Sequence, residues 1–268
     1  MLGSDLVPAF RKAFGDENVI AMGRADLDIT DEKAVFETIR KIKPEVVVNA
    51  AAYTNVDGAE KEREAAHRIN VLGPTYLSQA CREYGVRLVH FSTDQVFGGD
   101  VHHPRTEDES TSPLNYYAAT KLMGEKAVLT NPNSLVVRVQ WLYGKKKDRF
   151  TILKDKKEFS PFADQIGCPT WTKHVAEATA ELVLRRSIGV FHFAYDDSAS
   201  WAEVFQFVKD TMGYQVELRP KLTAELNLPA RRPLFSALSN KKLVSVLKRA
   251  QLGSWRDALK EFLKLQSL

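Results

Sequence analysis

Tyr117 and Lys121 lie four residues apart in a stretch, Asn115 to Leu129, whose pattern predicts a helix, so both side chains fall on one face about a turn apart. A phenol beside an ammonium is an acid–base pair. The cation favours the phenolate, lowers the tyrosine pKa from its reference of about 10, and lets the ring exchange a proton near neutrality. Spacing alone is weak evidence, because eight tyrosines meet abundant lysine and a second pair, Tyr143 and Lys147, has the same separation. That second pair sits with Gly144 in a lysine-rich loop, where four-residue spacing puts nothing on a common face. Tyr117 also follows Thr93, at a strand end, by 24 residues, so a strand-end hydroxyl and a helix-borne Tyr/Lys pair converge across one crossover.

The elements that must position these groups alternate along the chain. Apolar residues Leu6, Val7, Phe10 and Phe14 recur at helical spacing from Leu2, and Asn18 to Ala21 reads as a short buried strand. Thr30 or Asp31 caps a helix through Ile42, and Val46 to Ala50 is an apolar strand without alternation, as in a parallel sheet covered on both faces. A helix from about Glu62 to Tyr84 leads to the strand Arg87 to Ser92, and the helix at Asn115 leads to the strand Ser134 to Arg138. This βαβ period predicts an α/β fold with a doubly wound parallel sheet. Beyond Tyr143 the pattern loosens into a smaller C-terminal lobe, with helices at Val175 to Leu184, Trp201 to Met212 and Ser254 to Leu265 and a strand at Gly189 to Phe193.

Ligands of such sheets bind at the carboxyl ends of the strands. Three strand ends are unusual. Asn49 to Thr54 offers small side chains on which a flat ligand can lie, or else a tightly packed helix entry. Ser92-Thr93-Asp94 places hydroxyls at the sheet end, or else caps a turn. Arg138 to Gly144 contains Trp141, which either walls a pocket or fills the core.

These blocks together resemble the dTDP-4-dehydrorhamnose reductase family of the extended short-chain dehydrogenase/reductase superfamily. The matching segments are DLDITD from Asp26, VVVNAAAYTNVDGAE from Val46, INVLGP from Ile69, LVHFSTDQVFGG from Leu88, SPLNYYAATKLMGEKAV from Ser112, VVRVQWLYG from Val136, DQIGCPTWT from Asp164 and RRPLFSALSNKKL from Arg231. The resemblance implies a Rossmann-like NAD(P)-binding domain over residues 1–144, and a mainly substrate-binding lobe over 145–268 with part of the chain returning to the main domain. It implies reduction of a 4-keto-6-deoxy sugar nucleotide, dTDP-4-dehydrorhamnose to dTDP-L-rhamnose, by NADPH or NADH. Tyr117 would donate the proton, Lys121 would lower its pKa and hold the nicotinamide ribose, and Thr93 would polarise the substrate carbonyl. Gly3, Arg24, Asp28, Ile29, Ala50, Ala51 and Ala52 match cofactor positions. Thr54, Val56, Asp94, Trp141 and Arg232 match the sugar-nucleotide site. An arginine suits a pyrophosphate because its fork pairs two oxygens, while the alternative for Arg232 is a surface ion pair.

The chain departs from the family at its start, where only Gly3 remains of the first strand and the Gly-x-x-Gly-x-x-Gly turn. A start assigned at an internal Met accounts for this, as does a truncation that has lost cofactor binding; the intact catalytic constellation favours the first. Gln95 stands where the family has Tyr, and Gly23-Arg24, with no acid at the ribose-reading position, favours the 2′-phosphate of NADPH. The rival to an enzyme is a non-catalytic binding subunit on the same fold, resembling the methionine adenosyltransferase β subunit.

Composition narrows the rest. In 268 residues, 38 Lys+Arg against 34 Asp+Glu leave a net charge of +4, too small and too interspersed for nucleic-acid or membrane-surface binding. Cys81 and Cys168 have neither a disulfide framework nor zinc-ligand spacing, and the chain shows no signal peptide or apolar span, so a cytoplasmic location is expected. No metal site is expected, since Asp5, which lies where some relatives bridge a dimer through a metal, reads alone as solvated surface. A homodimer is compatible with the family.

Overall fold

The computed structural model describes residues 1–99, 101–146 and 148–266. Lys147 of the second Tyr/Lys pair lies outside these. In chain order the elements are α1 (Leu2–Phe14), α2 (Glu32–Ile42), β1 (Val46–Asn49), α3 (Gly58–Lys61), α4 (Arg63–His67), α5 (Gly73–Glu83), β2 (Arg87–Thr93), α6 (Tyr116–Val128) and β3 (Ser134–Val139). They continue with the short strands β4 (Leu142–Tyr143), β5 (Glu158–Phe159), β6 (Ile166–Gly167) and β7 (Thr170–Trp171), then α7 (Thr172–Leu184), β8 (Gly189–His192), β9 (Ala199–Ser200), α8 (Trp201–Met212), β10 (Glu217–Leu218), α9 (Lys241–Leu247) and α10 (Trp255–Gln266).

Strands β1, β2, β3 and β8 pair in that order, all parallel, as the central sheet. Strand alternation divides their side chains between two cores. Leu88 and Val136 pack with Val35, Ile39 and Leu77 of α2 and α5, while Val89, Phe91 and Val137 pack with Leu6 and Phe10 of α1 and Val175 of α7. Helix placement follows from local signals. The Asp31 carboxylate accepts from the Ala34 N–H, and Asn115 from the Ala118 N–H, each closing an otherwise open first turn.

Four expectations need correction. Residues 18–21 form no strand: Asn18 ends a single 3₁₀ turn and Ile20 is 63% exposed. A strand is stabilised by its ladder, and among the described residues nothing pairs with this segment. For the same reason β1 is not covered on both faces; it is the sheet edge, and Val46, Val47 and Val48 are only half-buried. The helix expected from Glu62 to Tyr84 is split by one π turn, Arg68–Leu72, between α4 and α5. The strand at Gly189 belongs to the main sheet, paired with β3, and not to the C-terminal lobe.

The π turn positions the site. It carries Asn70, which is fully buried: its Oδ1 accepts from the Tyr53 N–H at 2.9 Å, and its Nδ2 donates to the Tyr53 carbonyl at 3.1 Å and to Thr120 Oγ1 at 3.0 Å. One amide thereby ties the loop after β1 to α6. Gly124 permits the approach, because a Cβ there would fall 2.0 Å from the Asn70 carbonyl oxygen.

Candidate active site

The carboxyl end of β2 and the first turns of α6 bring Thr93, Asp94, Tyr117 and Lys121 together, all buried. Thr93 Oγ1 donates to Asp94 Oδ1 at 2.8 Å and accepts from the Gln95 N–H at 3.3 Å, so it both caps the 3₁₀ turn at Asp94 and faces the site. The Thr93 hydroxyl is near enough to the Tyr117 phenol to oppose the rise in its pKa. The start of α6 is braced from two sides. Glu60 accepts from the Tyr116 N–H at 2.8 Å, and Asn115 donates to Gln95 Oε1 at 3.0 Å and to the Arg231 carbonyl at 2.8 Å. The departure at Gln95 thus serves a helix cap.

The electrostatics differ from the expectation for the Tyr/Lys pair. Burial and the neighbouring Asp94 charge push the Tyr117 phenol up to about 12, against smaller lowering effects from the Thr93 hydroxyl and the Arg149 guanidinium. Lys121 does not lower it: its Nζ donates to the Phe91 carbonyl at 2.6 Å and lies 3.3 Å from His90 Nε2, turned toward the strand. A common helix face brought the two side chains to one place, but the partners offered by β2 decided where the amine points. Burial lowers Lys121 to about 8, partly offset by Glu125.

Asp94 Oδ2 and Ser92 Oγ are buried without a hydrogen-bond partner among the described residues. Such atoms mark the place where a polar ligand group would be received. Burial raises Asp94 to about 6, above the ~3.9 of an unfolded chain. A carboxyl so shifted holds its proton more tightly when folded. Its contribution is therefore complete below about pH 4 and is lost as pH rises through about 6. Asp94→Asn should flatten that fall and stabilise the protein at about pH 8 by up to roughly 3 kcal/mol. Urea titrations of both proteins at about pH 4 and pH 8 check it; an unchanged difference between the two pH values would refute it.

Trp141, half-buried, has φ +43°, a left-handed conformation that costs a non-glycine residue roughly 1–2 kcal/mol. Its ring is stacked on Trp201 at 4.0 Å and 10°, and Arg149 lies 5.8 Å above the Trp201 ring. Gly167 closes on the same indole, since a Cβ there would come within 2.6 Å of its six-membered ring. Gly167→Ala should push Trp141 off Trp201 and raise KM for a substrate held against that ring roughly tenfold, with kcat little changed. Steady-state kinetics with the tryptophan fluorescence spectrum check it; an unchanged KM with an altered spectrum would remove Trp141 from the pocket wall.

Gly3 in the first turn of α1 faces Ala50, which with Ala51 is exposed; Ala52 is half-buried. Asp28 accepts from the Thr30 N–H and hydroxyl, each at 2.9 Å, and pairs with the exposed Arg24 at 3.5 Å; these contacts, offset slightly by burial, hold its carboxyl below the usual range. Ile29 packs on Gly73. Thr54 is exposed and Val56 half-buried beside Tyr117. Arg232 forms an ion pair, as one of its two readings had it: its side chain, 16% exposed, donates to Asp57 Oδ2 at 2.9 Å, on a carboxylate 40% exposed, and to the Ala230 carbonyl at 2.8 Å, and ties the loop after β1 to the C-terminal segment. Asp5 is half-buried and accepts from the Thr172 hydroxyl. The described residues hold no group of three or more His, Cys, Asp or Glu side chains fit for a metal, and both cysteines are buried thiols. No described helix is long and apolar enough to cross a membrane.

Sequence reading missed Asn49, His90, Arg149 and Trp201. For the first two a signal existed, a polar residue inside an otherwise apolar strand.

Comparison with known proteins agrees with this geometry. Residues 1–267 match the family described as RmlD substrate binding domain. The spore coat polysaccharide biosynthesis protein SpsK of Bacillus subtilis is 34% identical over 272 residues, covering 99% of this chain and 94% of that protein. A probable dTDP-4,6-dihydroxy-2-methyloxan-3-one 4-ketoreductase of Streptomyces antibioticus is 37% identical, covering 97% and 90%. The crystal structure of dTDP-4-dehydrorhamnose reductase from Bacillus anthracis in complex with NADP superposes with a TM-score of 0.90 at 31% identity, covering 96% of this chain and 94% of that one. With this fold, this strand-end site and this full-length match, the chain belongs to the dTDP-4-dehydrorhamnose reductase family of the extended short-chain dehydrogenase/reductase superfamily.

Proposed function

We propose that this chain is an NAD(P)H-dependent oxidoreductase that reduces the 4-keto group of a 4-keto-6-deoxy sugar nucleotide, converting dTDP-4-dehydrorhamnose to dTDP-L-rhamnose. The observation that carries the reading is the buried grouping of Thr93, Asp94, Tyr117 and Lys121 where the carboxyl end of β2 meets the first turns of α6. A phenol held up near 12 is fully protonated at neutral pH, which suits a proton donor to a ketone oxygen that becomes an alkoxide. Thr93, whose hydroxyl donates to Asp94 Oδ1 in the free chain, would turn that hydroxyl to the same oxygen and polarise the carbonyl. Trp141, Thr54 and Val56 would contact the sugar, and Asp94 would act on it through Thr93.

The residues present fit a nicotinamide dinucleotide. The first turn of α1, a 13-residue helix, has no side-chain cap, and its Gly3 lies beside the exposed Ala50, so a pyrophosphate is favoured at this helix N-terminus. Bound there, reduced nicotinamide would supply hydride chemistry. Ala50, Ala51 and Ala52 would flank the dinucleotide, Asp28 and Ile29 its adenine, and Arg24, 83% exposed, would reach a 2′-phosphate and favour NADPH. Lys121 would bind the nicotinamide ribose.

The test is direct. The chain is titrated with NADPH and NADH by fluorescence, then given dTDP-4-dehydrorhamnose while loss of reduced nicotinamide and formation of dTDP-L-rhamnose are followed. Oxidation of cofactor with formation of that product supports the reading. Failure of both nucleotides to bind would end it.

A further inference from the structure

The hydrogen-bond donors around Lys121 can be counted, and the count constrains where protons reside. Asn49 of β1, His90 of β2 and Lys121 of α6 form a buried chain, 5%, 0% and 3% exposed. Asn49 Oδ1 accepts from the Ala51 N–H at 3.0 Å, which fixes the amide so that Nδ2 points at His90 Nδ1, 3.2 Å away. An amide nitrogen only donates, so Nδ1 must be the bare nitrogen. The proton of a neutral imidazole is then on Nε2, aimed at Lys121 Nζ at 3.3 Å. Only an unprotonated amine has a lone pair to receive it. The bond from Nζ to the Phe91 carbonyl can be made by either form of the lysine. An ammonium would require His90 to carry its proton on Nδ1, facing the Asn49 amide donor, or the amide to turn over and leave the Ala51 N–H against another donor.

We propose that His90 is a positioning residue for Lys121: locked by Asn49, it stabilises the lysine as a neutral amine parked against β2, and its tautomer reverses when the lysine takes up a proton. This rests on the reading of Lys121 as a residue of the reductase site. It implies that the phenol of Tyr117 gains a cationic neighbour only when Lys121 takes up that proton and the His90 tautomer reverses. Burial of the lysine acts in the same direction, and so does the burial of His90, which holds its ring neutral. The charged groups around the amine are few. His90 faces it from β2 and Glu125 from the next turn of α6, favouring the cation; Arg138 of β3 is engaged by Glu125, and Asn49 of β1 is neutral.

Long-range proton–nitrogen NMR of the full chain labelled with [15N]histidine tests this without any ligand. His192 provides the control, since its Nδ1 faces the Arg105 carbonyl and its Nε2 the Arg138 guanidinium, so it must carry its proton on Nδ1. At about pH 9 His90 should show the opposite tautomer, protonated on Nε2, and should reverse toward Nδ1–H with a midpoint near 8, well below the ~10.4 of a free lysine. Lys121→Met should abolish that titration and leave His192 unchanged. A His90 ring protonated on Nδ1 at all pH values, or a titration that survives Lys121→Met, would overturn the proposal. The two readings fail separately: a chain that reduces the sugar nucleotide with a His90 that never reverses overturns the coupling alone, and a chain with the reversal but no reductase activity overturns the reductase reading alone.

Discussion

Tyr117→Phe should lower kcat for ketone reduction by about 10²–10⁴-fold, the range by which a positioned general acid accelerates proton transfer. The substitution removes only the hydroxyl. The ring stays packed against Ala59 and Ala66, and relief of a buried phenol keeps the fold intact. Binding of reduced nicotinamide should remain within about threefold, since the loss falls on the transition state, where the proton moves. Single-turnover absorbance with the wild type and the variant checks it. Equal rates would remove Tyr117 as the donor. The pH dependence follows from the same geometry. A phenol raised to about 12 is protonated across the neutral range, so the wild-type reduction rate should not fall between about pH 6 and 8 through loss of the Tyr117 proton.

The largest expected effect on stability lies beneath the site, in the pair between Glu125 and Arg138. Arg138 Nη2 donates to Glu125 Oε1 at 2.6 Å and Nε to Oε2 at 3.0 Å, a two-pronged contact with both side chains no more than 4% exposed. Arg138 also lies 5.1 Å from the Phe97 ring centre, and its Nη1 donates to His192 Nε2 at 3.1 Å. Arg138→Met alone strands a buried carboxylate and should cost about 3–5 kcal/mol. The double variant Arg138→Met with Glu125→Leu should recover most of that, because neither charge is then left unpaired. Urea titration of the three proteins checks it. A double variant as unstable as the single one would show that the bidentate pair, and not the stranded charge, carries the effect. The double variant also removes the one carboxylate that favours the Lys121 cation, so it should move the Lys121 midpoint downward.

Much of the scaffold was legible because its determinants are local. The cap at Asp31, apolar periods in α1 and α2, and runs of β-branched residues at Val46 and Ser134 act over a few residues and need no partner to be recognised. Residues 18–21 were misread because an apolar run becomes a strand only beside another strand. The π turn at Asn70 was hidden because it is held by Tyr53 and Thr120, which lie 17 and 50 residues away.

The site divides in the same way. Residue type and spacing alone determined that Thr93, Tyr117 and Lys121 share one end of the sheet, since a strand end and a helical turn have fixed geometry. Tertiary structure alone decided the charge states. The Tyr117 phenol went up instead of down because burial and Asp94 outweigh a lysine that found better partners on β2. Arg232 found its ion-pair partner in Asp57, which is remote in sequence. His90 became the neighbour that governs Lys121 because adjacent parallel strands set Asn49 opposite it, and α6 delivers the amine to its far side. Hydrogen-bond direction and desolvation depend on every group within a few ångström. Most of those groups reach one another only after the chain has crossed the sheet.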